Sequence, residues 1–143
     1  MDPTFELIRE CISILKANTS ISAIVGDKIF DRVPEKQDGT PNVSSPYISL
    51  GSTNFLTEDF DCVDAATISL QFNCWSWGDG EAYSSAQVRK LSFLVRKALH
   101  KAEINLDENG FVAIEHQITA YNRASDGVTH QASVSFETLV DII

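Results

Sequence analysis

Residues 75 to 82, WSWGDGEA, set two glycines between a tryptophan-rich segment and the start of an amphipathic helix. Free backbone N–H groups and a helix dipole hold phosphate in just such a place. The details argue against that chemistry. Gly78-x-Gly80 lacks the third glycine of a dinucleotide fingerprint, and no Lys-Ser/Thr pair follows it. Asp79 and Glu81 put negative charge where a phosphate would sit. A strand-to-helix corner accounts for the stretch better, because the glycines permit a sharp turn and the acids suit a helix N-terminus.

His100, His116 and His130 are the candidate general bases, yet no nucleophile motif such as GxSxG accompanies them. His116 lies between Ile114 and Ile118 at alternating positions and reads as a satisfied, partly buried histidine, and His100 as a helix-surface residue. Cys74 falls on the inward side of a strand and reads as a small core residue, not a reactive thiolate. Glu58, Asp59, Asp61 and Asp64 place four carboxylates within seven residues, which raises calcium binding. The spacing departs from the EF-hand loop, so a solvated hairpin tip is expected, or an acidic loop on the wall of a pore or against a neighbouring subunit. No catalytic, cofactor or metal-ligating set emerges.

The least ordinary feature lies on the long helix expected over 80–101. At 100° per residue, Arg89, Lys90, Arg96, Lys97 and Lys101 fall opposite the apolar stripe, with Phe93 among them. An acidic chain has gathered five of its 11 bases there. A phenylalanine ringed by charge reads as an anchor for a protein contact, with the acidic segment of a neighbouring copy as one partner.

These side chains need a scaffold, and the composition supplies one. With 143 residues, 43% hydrophobic and 22% charged, the chain reads as a single domain over 1–143. Three scattered cysteines propose neither a disulfide framework nor zinc. A net charge of -9 repels nucleic acid at long range and speaks against general DNA or RNA binding. Neither a signal peptide nor a membrane span is expected.

Asp2-Pro3 starts a helix over 3–17, and Ser20 caps a short second turn closed by Gly26. A brief strand follows at DKIFDRV, then a polar loop over 33–45. A strand over 46–56 carries Gly51 as a bulge, and TEDFDCVD reads as a turn. From Ala65 to Cys74 the alternation marks a strand with one buried face. Strands over 110–123 and 129–143 follow the long helix. This order implies an α+β fold, an antiparallel sheet with helices packed on one side. The outward strand faces are rich in Ser, Thr, Gln and Asn, with Trp75, Trp77 and Tyr121 toward the ends, and edges of this kind pair readily with another chain.

Three segments together, PYISLG, FNCWSWGDGEA running into a helix, and NRASDGVTHQASVSFETLV, resemble the tail-completion (tail-terminator-like) proteins of long-tailed bacteriophages, prophages and gene transfer agents. The resemblance covers most of the chain from DKIFDRVP onward. Trp75, Gly78, Glu81, Ala82, Arg123, Asp126, Gly127, Thr129 and His130 match the pattern as structural signature positions. The resemblance implies a four-stranded antiparallel sheet with flanking helices and a non-enzymatic virion protein of the tail or neck, made in the bacterial cytoplasm. It implies a homo-hexameric ring at the head-proximal end of the tail tube that stops tube polymerisation and docks the head connector. The partners are then further copies of the chain, the tail tube protein and a head-tail connector or head-completion protein. DNA passes through without specific binding, and neither membrane nor cofactor is involved. Another neck component, such as a head-closure or adaptor protein, a monomeric binding module, and a small hydrolase or nucleotide-binding domain are the alternatives.

Overall fold

The structure, a computed structural model, describes residues 2–60 and 63–142, apart from the side chains at 59, 60 and 112. The chain runs α1 (Pro3–Ala17), α2 (Thr19–Val25), β1 (Ile29–Phe30), β2 (Tyr47–Phe60), β3 (Val63–Ser76), a 3-10 turn (Gly80–Ala82), α3 (Ala86–Leu99), β4 (Gly110–Arg123) and β5 (His130–Asp141). Asp2 caps α1 by accepting the Thr4 N–H at 2.8 Å, with Pro3 at the first helical position. The cap of α2 is Asn18, which accepts from the Ile21 N–H at 3.0 Å, and not Ser20. Gly26, at φ 65, ends α2 in a conformation that a side chain would disfavour.

The sheet has five strands in the order β1-β2-β3-β5-β4, which corrects the four-stranded expectation. The four long strands are antiparallel throughout, and β1 adds a two-residue parallel pairing, Ile29 to Ile48 and Phe30 to Ser49. Residues 57–60 and 63–64 also depart from the turn expected over 57–64, since β2 and β3 stay paired out to Phe60 and Val63, while 61 and 62 lie outside the described residues. Within β2 the register shifts between Leu50 and Thr53, a bulge at Gly51. A Cβ there would come within 2.5 Å of Gln71 Oε1, so only glycine lets Gln71 and Asn73 lie across the strand.

Alternation in β3 buries Ala66, Ile68, Leu70, Phe72 and Cys74 on the helix side. They meet Val134, Phe136 and Val140 of β5, Val88, Leu91, Val95 and Leu99 of α3, and Leu7, Cys11 and Leu15 of α1 in one apolar core. The helix expected over 80–101 is interrupted, because residues 83–85 separate the 3-10 turn from α3.

Glu6 is a charged residue with no exposed surface. Burial pushes its carboxyl upward, but hydrogen bonds from Asn109 and Glu108 outweigh that and hold it below its ordinary value. The Glu108 N–H and Asn109 Nδ2 both donate to it at 2.9 Å, fastening the segment before β4 to α1. A carboxyl depressed in the folded state stabilises the fold above its unfolded value of about 4.5, and the contribution disappears as pH falls through the lower folded value. Glu6→Gln is therefore expected to lower stability near neutral pH and to flatten the acid limb of a urea-midpoint versus pH curve.

Candidate assembly surfaces

The signature residues gather at one end of the sheet. Gly78 at φ 128 and Gly80 at φ 64 turn the chain out of β3, and Ser76 Oγ lies 2.6 Å from Gln87 Oε1, joining the strand end to the first turn of α3. Across the corner, His130 Nε2 stands 2.9 Å from the Tyr83 carbonyl oxygen. A carbonyl only accepts, so Nε2 carries the proton and His130 clamps β5 to the corner. Asp126 accepts from the N–H groups of Val128 and Thr129, both at 2.9 Å, and from Thr129 Oγ1 at 2.7 Å. The Thr129 hydroxyl foremost, then the two backbone N–H groups, hold its carboxyl below the usual range. Gly127 at φ 76 completes this turn, and Arg123, Gly127 and His130 line a cavity of about 380 Å³ with Trp77 and Gly78. Trp75, Glu81 and Ala82 belong to the same corner. Asp79 makes no side-chain cap, and Glu81 is ion-paired with Lys90 instead of capping α3.

On α3, two of the five bases already have partners within the chain: Lys90 on Glu81, and Arg89, whose guanidinium lies 4.1 Å above the Tyr121 ring. Arg96, Lys97 and Lys101 occupy the C-terminal half of the helix and its exit. Phe93 is 59% exposed. At positions i, i+4 and i+7, Arg89, Phe93 and Arg96 form one row. The Arg89–Tyr121 contact and the N–H of Lys101 on the Ile114 carbonyl, 2.9 Å away, place that row along β4, an edge strand of the sheet.

The opposite flank is the β2–β3 hairpin. From 52 to 57, β2 is exposed on both faces, with Phe55 47% and Leu56 61% accessible, and Val63 is exposed on the paired strand. Glu58 accepts from Thr67 Oγ1 at 3.0 Å, and Asp64 is exposed beside Val63. Asp59 lies in β2 paired with Asp64, and Asp61 lies outside the described residues. Among the described residues no group of three or more His, Cys, Asp and Glu side chains is arranged to hold a metal.

The four long strands contain a single Lys or Arg, Arg123, against Glu58, Asp59, Asp64, Glu115, Glu137 and Asp141. Glu58, Glu115 and Glu137 share a shallow cavity of about 310 Å³ on the helix-free face. At the other end of that face Tyr47 stacks on Trp75 with ring centroids 6.1 Å apart, and Trp77 meets Tyr47 edge-on at 6.0 Å. Trp75 Nε1 donates to Ser49 Oγ at 2.9 Å. These rings, with Val33, Pro41 and Val128, wall an apolar cavity of about 540 Å³. Sequence reading noted the tryptophans but missed this cluster, because Tyr47 joins it only through strand register.

His100 is no free surface residue. It caps α3, and its Nδ1 accepts the His116 backbone N–H at 2.9 Å. The His116 ring faces Phe136 and bonds Thr119 Oγ1 at 2.7 Å. Burial, then Arg96 and His100, lower its affinity for a proton. A register shift between His116 and Ile118 sends Ile118 to the helix-free face, so His116 and Ile118 do not share one side. Cys74 is buried, which pushes its thiol upward and keeps it protonated.

The sequence pattern of the family described as tail completion protein gp17 matches residues 10–141. A chain in the structure titled virion of native gene transfer agent (GTA) particle has the same fold, with a TM-score of 0.84, 18% identity and 98% of both chains covered. A search of curated proteins finds no match.

Proposed function

The chain belongs to the tail completion protein gp17 family, and on that premise we propose that it acts as a tail terminator. It is a structural protein of the virion tail and not an enzyme. In this reading, six copies close into a ring on the head-proximal end of the tail tube, stop tube polymerisation and present the surface on which the head connector docks. The observation that carries the reading is the family match, which spans nearly every folded element, from the middle of α1 to the end of β5.

The charge distribution supports it. The helix-free face bears acids and uncharged hydroxyl and amide groups, with no lysine or arginine on the long strands' outward positions. A wall of this kind does not hold phosphates, so DNA slides past it without being retained. The apolar and basic α3 flank and the apolar and acidic hairpin flank are suited to subunit or partner contacts.

Native mass over a wide concentration range, with negative-stain images of the heaviest species, tests the ring. Closed particles of about six subunits, alone or seated on tube ends, are the expected result. A monomer at every concentration that also ignores tail tubes overturns it.

A further inference from the structure

We propose that the distal part of β2 in one copy adds as an extra strand to the free edge of β4 in the next, a contact that rests on the ring reading. Both edges are open over short, definite stretches. On β2, the pairing with β1 ends at Ser49, and among the described residues no strand lies beside 51–58 on the side away from β3. On β4, the exit of α3 covers the edge as far as His116, through the Lys101 N–H to the Ile114 carbonyl and the His116 N–H to His100 Nδ1, both at 2.9 Å. Among the described residues, no strand lies beside 118–122 on that side.

Direction, side-chain pattern and charge all suit the union. The strands alternate in direction across β2, β3, β5 and β4, so an incoming β2 beside β4 continues the antiparallel order. Leu56, level with Thr67, and Ile118, level with Ser135, both lie on the helix-free face and are 61% and 60% exposed. Phe55, level with the buried Ile68, lies on the helix side, as do Tyr121 and the exposed Phe93. Setting 52–56 against 122–118 carries the hairpin tip past His116, with Asp64 on the helix side toward Arg96, Lys97 and Lys101 and Glu58 on the helix-free face. Pairing two open edges satisfies backbone groups and removes two aggregation-prone borders together. Because the two surfaces differ and lie on opposite flanks, the contact is head-to-tail, the kind that closes into rings.

Directly opposed residues in an antiparallel pair bring their Cβ atoms to about 4.5–5.5 Å, close enough for cross-linking. Chains carrying Leu56→Cys are mixed with chains carrying Ile118→Cys, both in a Cys62→Ser background, assembled and then oxidised. Asn54→Cys with Ala120→Cys repeats the test in the same register. All four positions are exposed, and circular dichroism checks that each variant folds. Covalent pairs joining one variant to the other, absent from either variant alone, are the expected result. Rings that form without such pairs in either combination overturn the strand addition and leave the ring reading standing. A chain that stays monomeric, alone and with tail tubes, overturns the ring reading and this contact with it.

Discussion

Phe93→Glu is expected to weaken self-association severely while leaving the subunit folded. The side chain is 59% exposed and lies outside the core, so the substitution removes no buried contact from the free chain. In the proposed ring it replaces an aromatic anchor with a carboxylate facing the acidic hairpin of the next copy. Loss of an anchor of this type costs about 2–4 kcal/mol, and the like charge adds to it, so association weakens by roughly 100-fold or more. Sedimentation across a concentration series reads the loss, and an unchanged circular dichroism melt shows that folding is not its cause. Assembly equal to that of the parent removes Phe93 from the contact.

Phe72→Ala has the opposite signature. Phe72 is fully buried in β3, level with Leu50 on one side and Val134 on the other. Truncating a buried phenylalanine costs about 3–5 kcal/mol, through lost burial and the cavity left behind. In a domain of this size that lowers Tm by roughly 10–15 °C. Assembly then fails because the subunit unfolds, which thermal melts separate from the Phe93→Glu defect. A shift of only a degree or two shows that the core collapses around the gap.

Elements with one buried face were legible in the sequence. The alternation from Ala65 to Cys74 and the helix stripe of Val88, Leu91, Leu94, Val95, Ala98 and Leu99 match the core, with Leu94 and Ala98 only partly buried against it. Elements lacking a buried face were not. Residues 57–60 and 63–64 are rich in acids and carry no apolar alternation, so periodicity has nothing to report, yet they continue the β2–β3 pairing because cross-strand hydrogen bonds need no apolar partner. GDGEA resembles a first turn, which draws the expected helix start to residue 80, whereas Gly80–Ala82 forms a 3-10 turn tied to Lys90 through Glu81. The basic row on α3 was visible from spacing alone. That Arg89 lies on Tyr121, and that the row borders an open sheet edge, depends on tertiary register that no local pattern encodes. The bulge at Gln117 is of the same kind: one extra residue sent Ile118 to the face opposite His116.

Among the described residues, 52–57 of β2 are bound along one side only, by β3, and are exposed on both faces. In an isolated subunit such a segment is among the first to fray, because only a few solvent-exposed backbone hydrogen bonds resist local opening. In the proposed ring, a neighbour that pairs with it supplies the missing second side, and each copy recruited in turn offers its own arm to the next. Incomplete rings then always carry one loose end and are less stable per subunit than closed ones. Closure is thus favoured over partial oligomers, and a tube end that aligns the first copies becomes the natural nucleus.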